Sequence, residues 1–201
     1  MRSRILLASA SPRRRELLRA AGLRFDAVPV EVDESLTSFT DPSEAALALA
    51  RRKALAGARR ELAREPDCSA LVIGADTIVA ALDGGRWCLL GKPADAGGAR
   101  AMLTRLSGSR HAVVTGVCVA RCPDLALFED LERTWVRMRV LSEEDVEGYV
   151  RSGEWRDKAG GYAIQESADR FVTELEEGGV DNVVGLPVKR TMELIERAGG
   201  G

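Results

Sequence analysis

Histidine is almost missing from this chain: His111 is the only one among 201 residues. A multi-histidine metal site is thereby excluded, and imidazole catalysis is reduced to a single candidate. Aromatic residues make up 4%, too few to interleave with cations as proteins that grip single-stranded nucleic acid do. There is no cationic surplus either, because the formal net charge is −2, where a nucleic-acid coat would be basic. No run of about 18 apolar residues occurs, so no membrane-spanning helix is expected. The opening apolar stretch stops at Ala10 and meets Pro12 and three arginines, which is not the pattern of a secretory leader. A cytoplasmic location is the default expectation. The cysteines are few and scattered, at positions 68, 88, 118 and 122. Cys118 and Cys122 fall in the strand-like HAVVTGVCVARC, where four positions span about 13 Å. One tetrahedral metal cannot take both, and all four read as buried or half-buried thiols. No GxxxxGK[ST] loop is present, and no GxGxxG follows a strand.

What is present is an ordinary globular composition, 45% hydrophobic and 30% charged. The length suits one large domain or two small lobes sharing a cleft, enough to bury about 70% of the unfolded surface. RILLAS reads as a buried strand; Ser11-Pro12 is a cap followed by proline at the first helical position, for a helix over residues 12–21 ending at Gly22. FDAVPVEVDE resumes an extended pattern. Asp41-Pro42-Ser43-Glu44 opens a long helix to about residue 64. ALVIGADTIVAAL is strand-like, Asp83-Gly84-Gly85 a turn, and RWCLLGKP the return strand. A helix is expected over 94–106, then long strands over 111–121 and 127–140. In the second, Thr134, Val136, Met138 and Val140 alternate with Arg133, Trp135, Arg137 and Arg139, a half-exposed pattern. Ser142 with Asp145 caps a helix to about residue 151. Residues 152–165 are glycine-rich and irregular, a β-hairpin is expected over 165–175, and a last helix starts at Pro187. The sum is an α/β fold on a mixed sheet, with no linker or repeat.

Four features could carry chemistry. SASPRRR ends the first strand in small residues, which let a ligand approach the backbone, and opens a helix whose free N–H groups point to the same spot. Arg13 and Arg14 stand against the dipole of that helix, an arrangement a bound polyanion such as phosphate would justify; the bland alternative is a solvated basic face. In IGADTIV, Asp76 interrupts an otherwise apolar run, so it faces a cleft, a metal or a cation, or else is a satisfied structural acid. Asp33 and Glu34 add carboxylates, a supply that suits Mg²⁺ held partly by substrate phosphates. Lys92, at the mouth of a strand, is a better phosphate contact than Lys53, which lies in an arginine-rich helix. In DKAGGYAIQ, Gly160-Gly161 permits close backbone approach, and Gln165 has both donors and an acceptor, as reading a base edge requires.

Together these segments resemble the Maf family of nucleotide pyrophosphatases. SASPRRRELL, VDE, RRKA, IGADTIV, LGKP, LSG with TGV, YVRSGEWRDKAGGYAIQ and NVVGLP occur in the family's order, from about residue 5 to 195. The resemblance implies a single domain over 1–201, with an elongated twisted sheet flanked by helices and two lobes around a cleft, as in Maf and ITPase-like proteins. It implies hydrolysis of the α–β anhydride of nucleoside triphosphates to a monophosphate and pyrophosphate. Asp76 would be the catalytic base and, with Glu34, a ligand of a divalent cation (Mg, Mn or Co). Ser9, Ser11, Arg13, Arg14, Lys53 and Lys92 would bind substrate phosphates, and Arg13, Thr77 and Gln165 would set base specificity. The Asp-Thr and Tyr-x-Ile-Gln forms are similar to the branch acting on dTTP and UTP, with Ala163 where glycine is expected. House-cleaning of modified nucleotides and a tendency to dimerise are further implications; no nucleic-acid or membrane partner is. The alternative is a non-enzymatic nucleotide-binding regulator of septum formation, which would not need Asp76. A nucleic-acid binder using the arginine-rich helices is disfavoured by charge and composition.

Overall fold

The computed structural model describes residues 3–165 and 167–199. Seven strands, β1 (Arg4–Leu7), β2 (Asp26–Ala27), β3 (Ala70–Asp83), β4 (Arg86–Leu90), β5 (Arg110–Cys122), β6 (Leu127–Met138) and β7 (Val172–Glu176), form one sheet. The order is β2–β1–β3–β5–β6–β7, with β4 also paired to β3. β1 is parallel to β2 and β3, and the other pairs are antiparallel. The helices are α1 (Pro12–Ala20), α2 (Pro42–Arg64), α3 (Ala96–Leu106), α4 (Glu143–Ser152), α5 (Val180–Val184) and α6 (Val188–Gly199).

Local chemistry sets most of these limits. The Ser11 hydroxyl accepts from the Arg14 N–H and Pro12 fills the first turn of α1, whose chain leaves through Gly22 at φ 77°. The Asp41 carboxylate accepts the N–H groups of Ser43 and Glu44 to start α2. Ser142 and Asp145 form a reciprocal capping box on α4. Gly84 and Gly85, at φ 56° and 80°, make the two-residue turn between β3 and β4 that matches strand twist.

The structure departs from the sequence reading in several places. FDAVPVEVDE is mostly loop, with only Asp26 and Ala27 in a strand. α3 starts two residues later than expected because Asp95 caps it. Val140 does not extend the buried side of β6, being 76% exposed beyond the strand end. The hairpin over 165–175 does not form. Ser167–Phe171 is a 3₁₀ turn, and β7 pairs with the distant β6 across a register shift at Arg137/Met138. Glu166 and the last two residues lie outside the described residues.

Alternation along the strands divides the core. Val72, Gly74, Asp76 and Ile78 of β3 face α2, where Ala50, Ala54 and Ala58 pack on Val72 and Cys118, and Ala46 and Leu49 on Ile78 and Val114. The opposite face carries α1 and α6 at one end, through Leu18 and Leu194 against Ile73 and Val117. At the other end of that face lie α3 and α4, through Leu103 and Tyr149 around Val79 and Val113. α2 comes very close: a Cβ on Gly74 would lie 2.3 Å from the Ala50 carbonyl oxygen, and one on Gly116 would lie 2.6 Å from that of Ala46. Cys118 and Cys122 are buried with free thiols, as their strand placement implied. Among the described residues, no helix is long and apolar enough to cross a membrane.

Candidate active site

The site sits where β3 loses a neighbour. One edge of β3 is paired with β5 from Ala70 to Ala80. On the other edge β1 covers Ala70 through Ile73 and β4 covers Val79 through Asp83. Residues 74–78 lie in the gap between β1 and β4, and a cavity of about 770 Å³ opens there, within the range of small-ligand sites.

Asp76 is in that gap, 7% exposed, on the face of β3 that meets α2. Lys53, buried on α2, donates from Nζ to Asp76 Oδ1 and to Glu34 Oε1, the latter at 2.6 Å. Lys92, just past β4, reaches Glu34 Oε2 at 2.7 Å. The result is an alternating line of charge: Asp76, Lys53, Glu34, Lys92. A buried ammonium alone would cost several kcal/mol, and here two carboxylates share it. Burial pushes the Glu34 carboxyl up, but hydrogen bonds from Lys53 and Lys92 and their charges outweigh that and hold it at about 2. Lys53, which the sequence ranked below Lys92, is therefore central. Asp33 instead turns away into its own loop, accepting the Ser35 N–H at 2.9 Å.

Thr77 faces the other side of the sheet. The Arg14 guanidinium donates to the Gly185 carbonyl at 2.8 Å, to Ser9 Oγ at 3.4 Å and to Thr77 Oγ1 at 3.2 Å. Thr115 Oγ1 donates to the Asn182 carbonyl at 3.0 Å and lies 3.0 Å from Thr77 Oγ1. Each hydroxyl has one proton. Thr115 has spent its own, so Thr77 donates to Thr115 and can offer a ligand only an acceptor. Arg14 thus locks Thr77 as well as lining the cavity, and burial lowers its pKa from the ordinary arginine value. The Arg13 side chain also lines the cavity and has no hydrogen bond or ion pair among the described residues. Ser9 Oγ accepts the Ser11 N–H at 3.2 Å, which shapes the loop between β1 and α1.

Ten of the residues singled out in the sequence line this one cavity, Ser9, Ser11, Arg13, Arg14, Glu34, Lys53, Asp76, Thr77, Lys92 and Gln165, and Asp33 does not. Arg156, Lys158 and Tyr162 line it too and were not singled out; the two cations next to the glycine pair were the available signal. Ala163 has no positive φ, so its backbone does not demand glycine.

Two carboxylates converge on one lysine, and Asp76 keeps its second oxygen clear of that contact. Among the described residues, no group of three or more His, Cys, Asp or Glu could hold a metal alone. The two carboxylates are of the donor type that a hard divalent cation takes, and substrate oxygens and water would have to fill its other positions.

The model of Maf-like proteins matches residues 4–198. The chain belongs to that family. A dTTP/UTP pyrophosphatase of Anaeromyxobacter dehalogenans (strain 2CP-C) is 45% identical over 202 residues, covering 99% of this chain and 96% of its own. One from Koribacter versatilis is 45% identical over 97% of this chain and 94% of its own. A human probable bifunctional dTTP/UTP pyrophosphatase/methyltransferase protein is 44% identical over 94% of this chain but only 31% of its own length. Among solved structures, a nucleoside-triphosphatase, dITP/XTP pyrophosphatase, from Mycobacterium abscessus matches at 17% identity and a TM-score of 0.37, over 67% of this chain and 72% of its own. That likeness is too distant to bear on the site of this Maf-like chain.

Proposed function

We propose that this Maf-like protein is a nucleoside triphosphate pyrophosphatase that favours dTTP and UTP. The observation that carries the proposal is the Asp76–Lys53–Glu34–Lys92 line, buried at Asp76 and Lys53 and exposed at Glu34 and Lys92, opening into a cavity whose other wall is cationic. The full-length relatives named dTTP/UTP pyrophosphatase support the same reading.

Arg13, Lys92 and the N–H groups at the start of α1 hold the triphosphate, countering charge that grows on the leaving pyrophosphate. Asp76 orients a water at the α-phosphorus and takes its proton as the α–β anhydride breaks, giving a nucleoside monophosphate and pyrophosphate. Lys53 holds the Asp76 carboxylate in place through its contact with Oδ1. A divalent cation of the Mg, Mn or Co type would be held by Asp76 and Glu34 with phosphate oxygens, and it supplies Lewis-acid charge when bound. Gln165, exposed at the cavity rim, can pair its amide with the O4 and N3–H of uracil or thymine at once.

Pyrophosphate release from the common triphosphates tests the proposal. UTP and dTTP are expected to lead CTP and the purines, and Gln165→Leu is expected to flatten that ranking, because a site built for polar pairing rejects ligands that leave it unpaired. A wild-type preference for a purine such as 7-methyl-GTP would overturn the base assignment. No turnover of any triphosphate would favour the regulator reading, in which Asp76 has no task.

A further inference from the structure

His111 is fully buried on β5 and takes no part in the chemistry above. Its ring meets that of Tyr162 edge-on, with centroids 5.6 Å apart at 90°, and its Nε2 lies 2.7 Å from Tyr162 Oη. On the other side, His111 Nδ1 lies 3.2 Å from Ser109 Oγ. Ser109 Oγ donates to the Leu106 carbonyl at 2.7 Å, at the end of α3. That uses the only proton of the hydroxyl, so Ser109 can only accept from the ring. Nδ1 therefore carries the hydrogen, Nε2 is bare, and the Tyr162 hydroxyl donates to it. The line has one direction: Tyr162 to His111 to Ser109 to Leu106. An imidazolium would present a second donor to the tyrosine, and burial lowers His111 to about 4, which keeps the ring neutral over the ordinary working range.

Tyr162 is 6% exposed, lines the cavity and stands three positions before the exposed Gln165. The loop leading to it has left-handed backbone at Asp157, Gly160 and Gly161, with φ of 60°, 69° and 74°. Its glycine pair is fixed by the bond from the Gly160 N–H to the Gly91 carbonyl at 3.0 Å. Past the glycines, Tyr162 is the buried side chain that ties the loop to the sheet. We infer that the hydrogen bond from Tyr162 to His111 positions the loop carrying Gln165, so that the only histidine of the chain sets nucleotide selectivity without touching the nucleotide. The inference rests on Gln165 reading the base, as proposed above.

The test compares kcat and KM for dTTP, UTP and CTP in wild type, Tyr162→Phe, His111→Leu and His111→Gln, with melting temperatures. Tyr162→Phe and His111→Leu are expected to raise KM for dTTP and UTP about three- to tenfold, the size of one hydrogen bond's net contribution. Turnover should stay within about twofold, so the lead over CTP narrows. His111→Gln, whose amide oxygen can still accept, should recover most of the selectivity. Because there is one histidine, ¹⁵N spectra of tag-free protein should show a single ring with a bare Nε2, and Tyr162→Phe should shift that signal. If the variants lose melting temperature but keep the wild-type ranking, the pair only packs the core and the inference is wrong; an Nε2–H tautomer also overturns it. Should His111→Leu not fold, Tyr162→Phe decides, since it leaves both rings in place. Gln165→Leu separates the two failures. If it leaves the ranking unchanged, the base-reading proposal falls and takes this inference with it. If it flattens the ranking while Tyr162→Phe does not, only the inference falls.

Discussion

At the scale of single residues, Asp76 and Lys53 are bound to each other but have different tasks. Asp76→Asn is expected to lower turnover by about 10²–10⁴-fold, the usual loss for a general base. Its stability should change less, because Lys53 keeps Glu34 as a partner. Lys53→Met strands Asp76 in a buried site, and breaking a buried pair in this way costs about 3–5 kcal/mol. Urea melts beside pyrophosphate-release assays check both; near-wild-type turnover in Asp76→Asn would remove it from the chemistry. Glu34 predicts a pH effect. Its ordinary value of 4.5 falls to about 2 in the folded protein. A depressed folded value gives stability that is present above about 4.5 and lost as pH falls through about 2. Acid melts should therefore steepen across that window, and Glu34→Gln should shallow them; parallel curves would mean that the lysine bridges do not persist in solution. The two arginines also part ways. Arg13 has no internal partner among the described residues and is free to meet phosphate, whereas Arg14 bonds Ser9, Thr77 and Gly185 and holds the site together.

At the scale of elements, the decisive contact is α2 lying against the middle of β3 and β5. It is possible only because Gly74 and Gly116 have no side chains: a methyl on either would overlap the backbone of α2. α2 is also the element that delivers Lys53 to Asp76, two positions along β3 from Gly74. Gly74→Ala is therefore expected to cost about 1–3 kcal/mol as overpacking and to lower turnover by lifting Lys53 away. Gly116→Ala should do the same from the opposed position on β5, which pairs with Asp76. Melting curves with kinetics check this, and a Gly74→Ala enzyme of full activity would show that α2 need not sit so close. The sequence marked α2 and β3 as elements through their caps and apolar runs. It left the glycines ambiguous, because a glycine in a strand signals a close approach without saying what approaches.

At the scale of the molecule, the cavity is a gap between β1 and β4 lined by the start of α1 at one end and by the loop at residues 156–165 at the other, so a filled site should tie the two ends together. A non-hydrolysable triphosphate analogue at about 100 times its Kd is expected to add about 2.7 kcal/mol, worth about 5–10 °C for a domain of this size. The Asp76→Asn variant should keep that gain, since binding rests on the cationic wall; thermal shift with and without a divalent cation reads it, and no shift in either protein would place the ligand elsewhere. The amino-acid sequence alone determined the starts of α1, α2 and α4, the β3–β4 turn and the chemical types at the site, because caps, glycine turns and isolated charges act over a few neighbouring residues. It did not determine the partner of β7, the coil at residues 28–34, or α5, since those depend on which surfaces distant segments offer. Nor could it foresee that Lys53 of an arginine-rich helix would outweigh Lys92, or that His111 and Tyr162, 51 positions apart, share a proton line. Such pairings need two segments to be held within about 3 Å of each other, and only tertiary packing sets that distance.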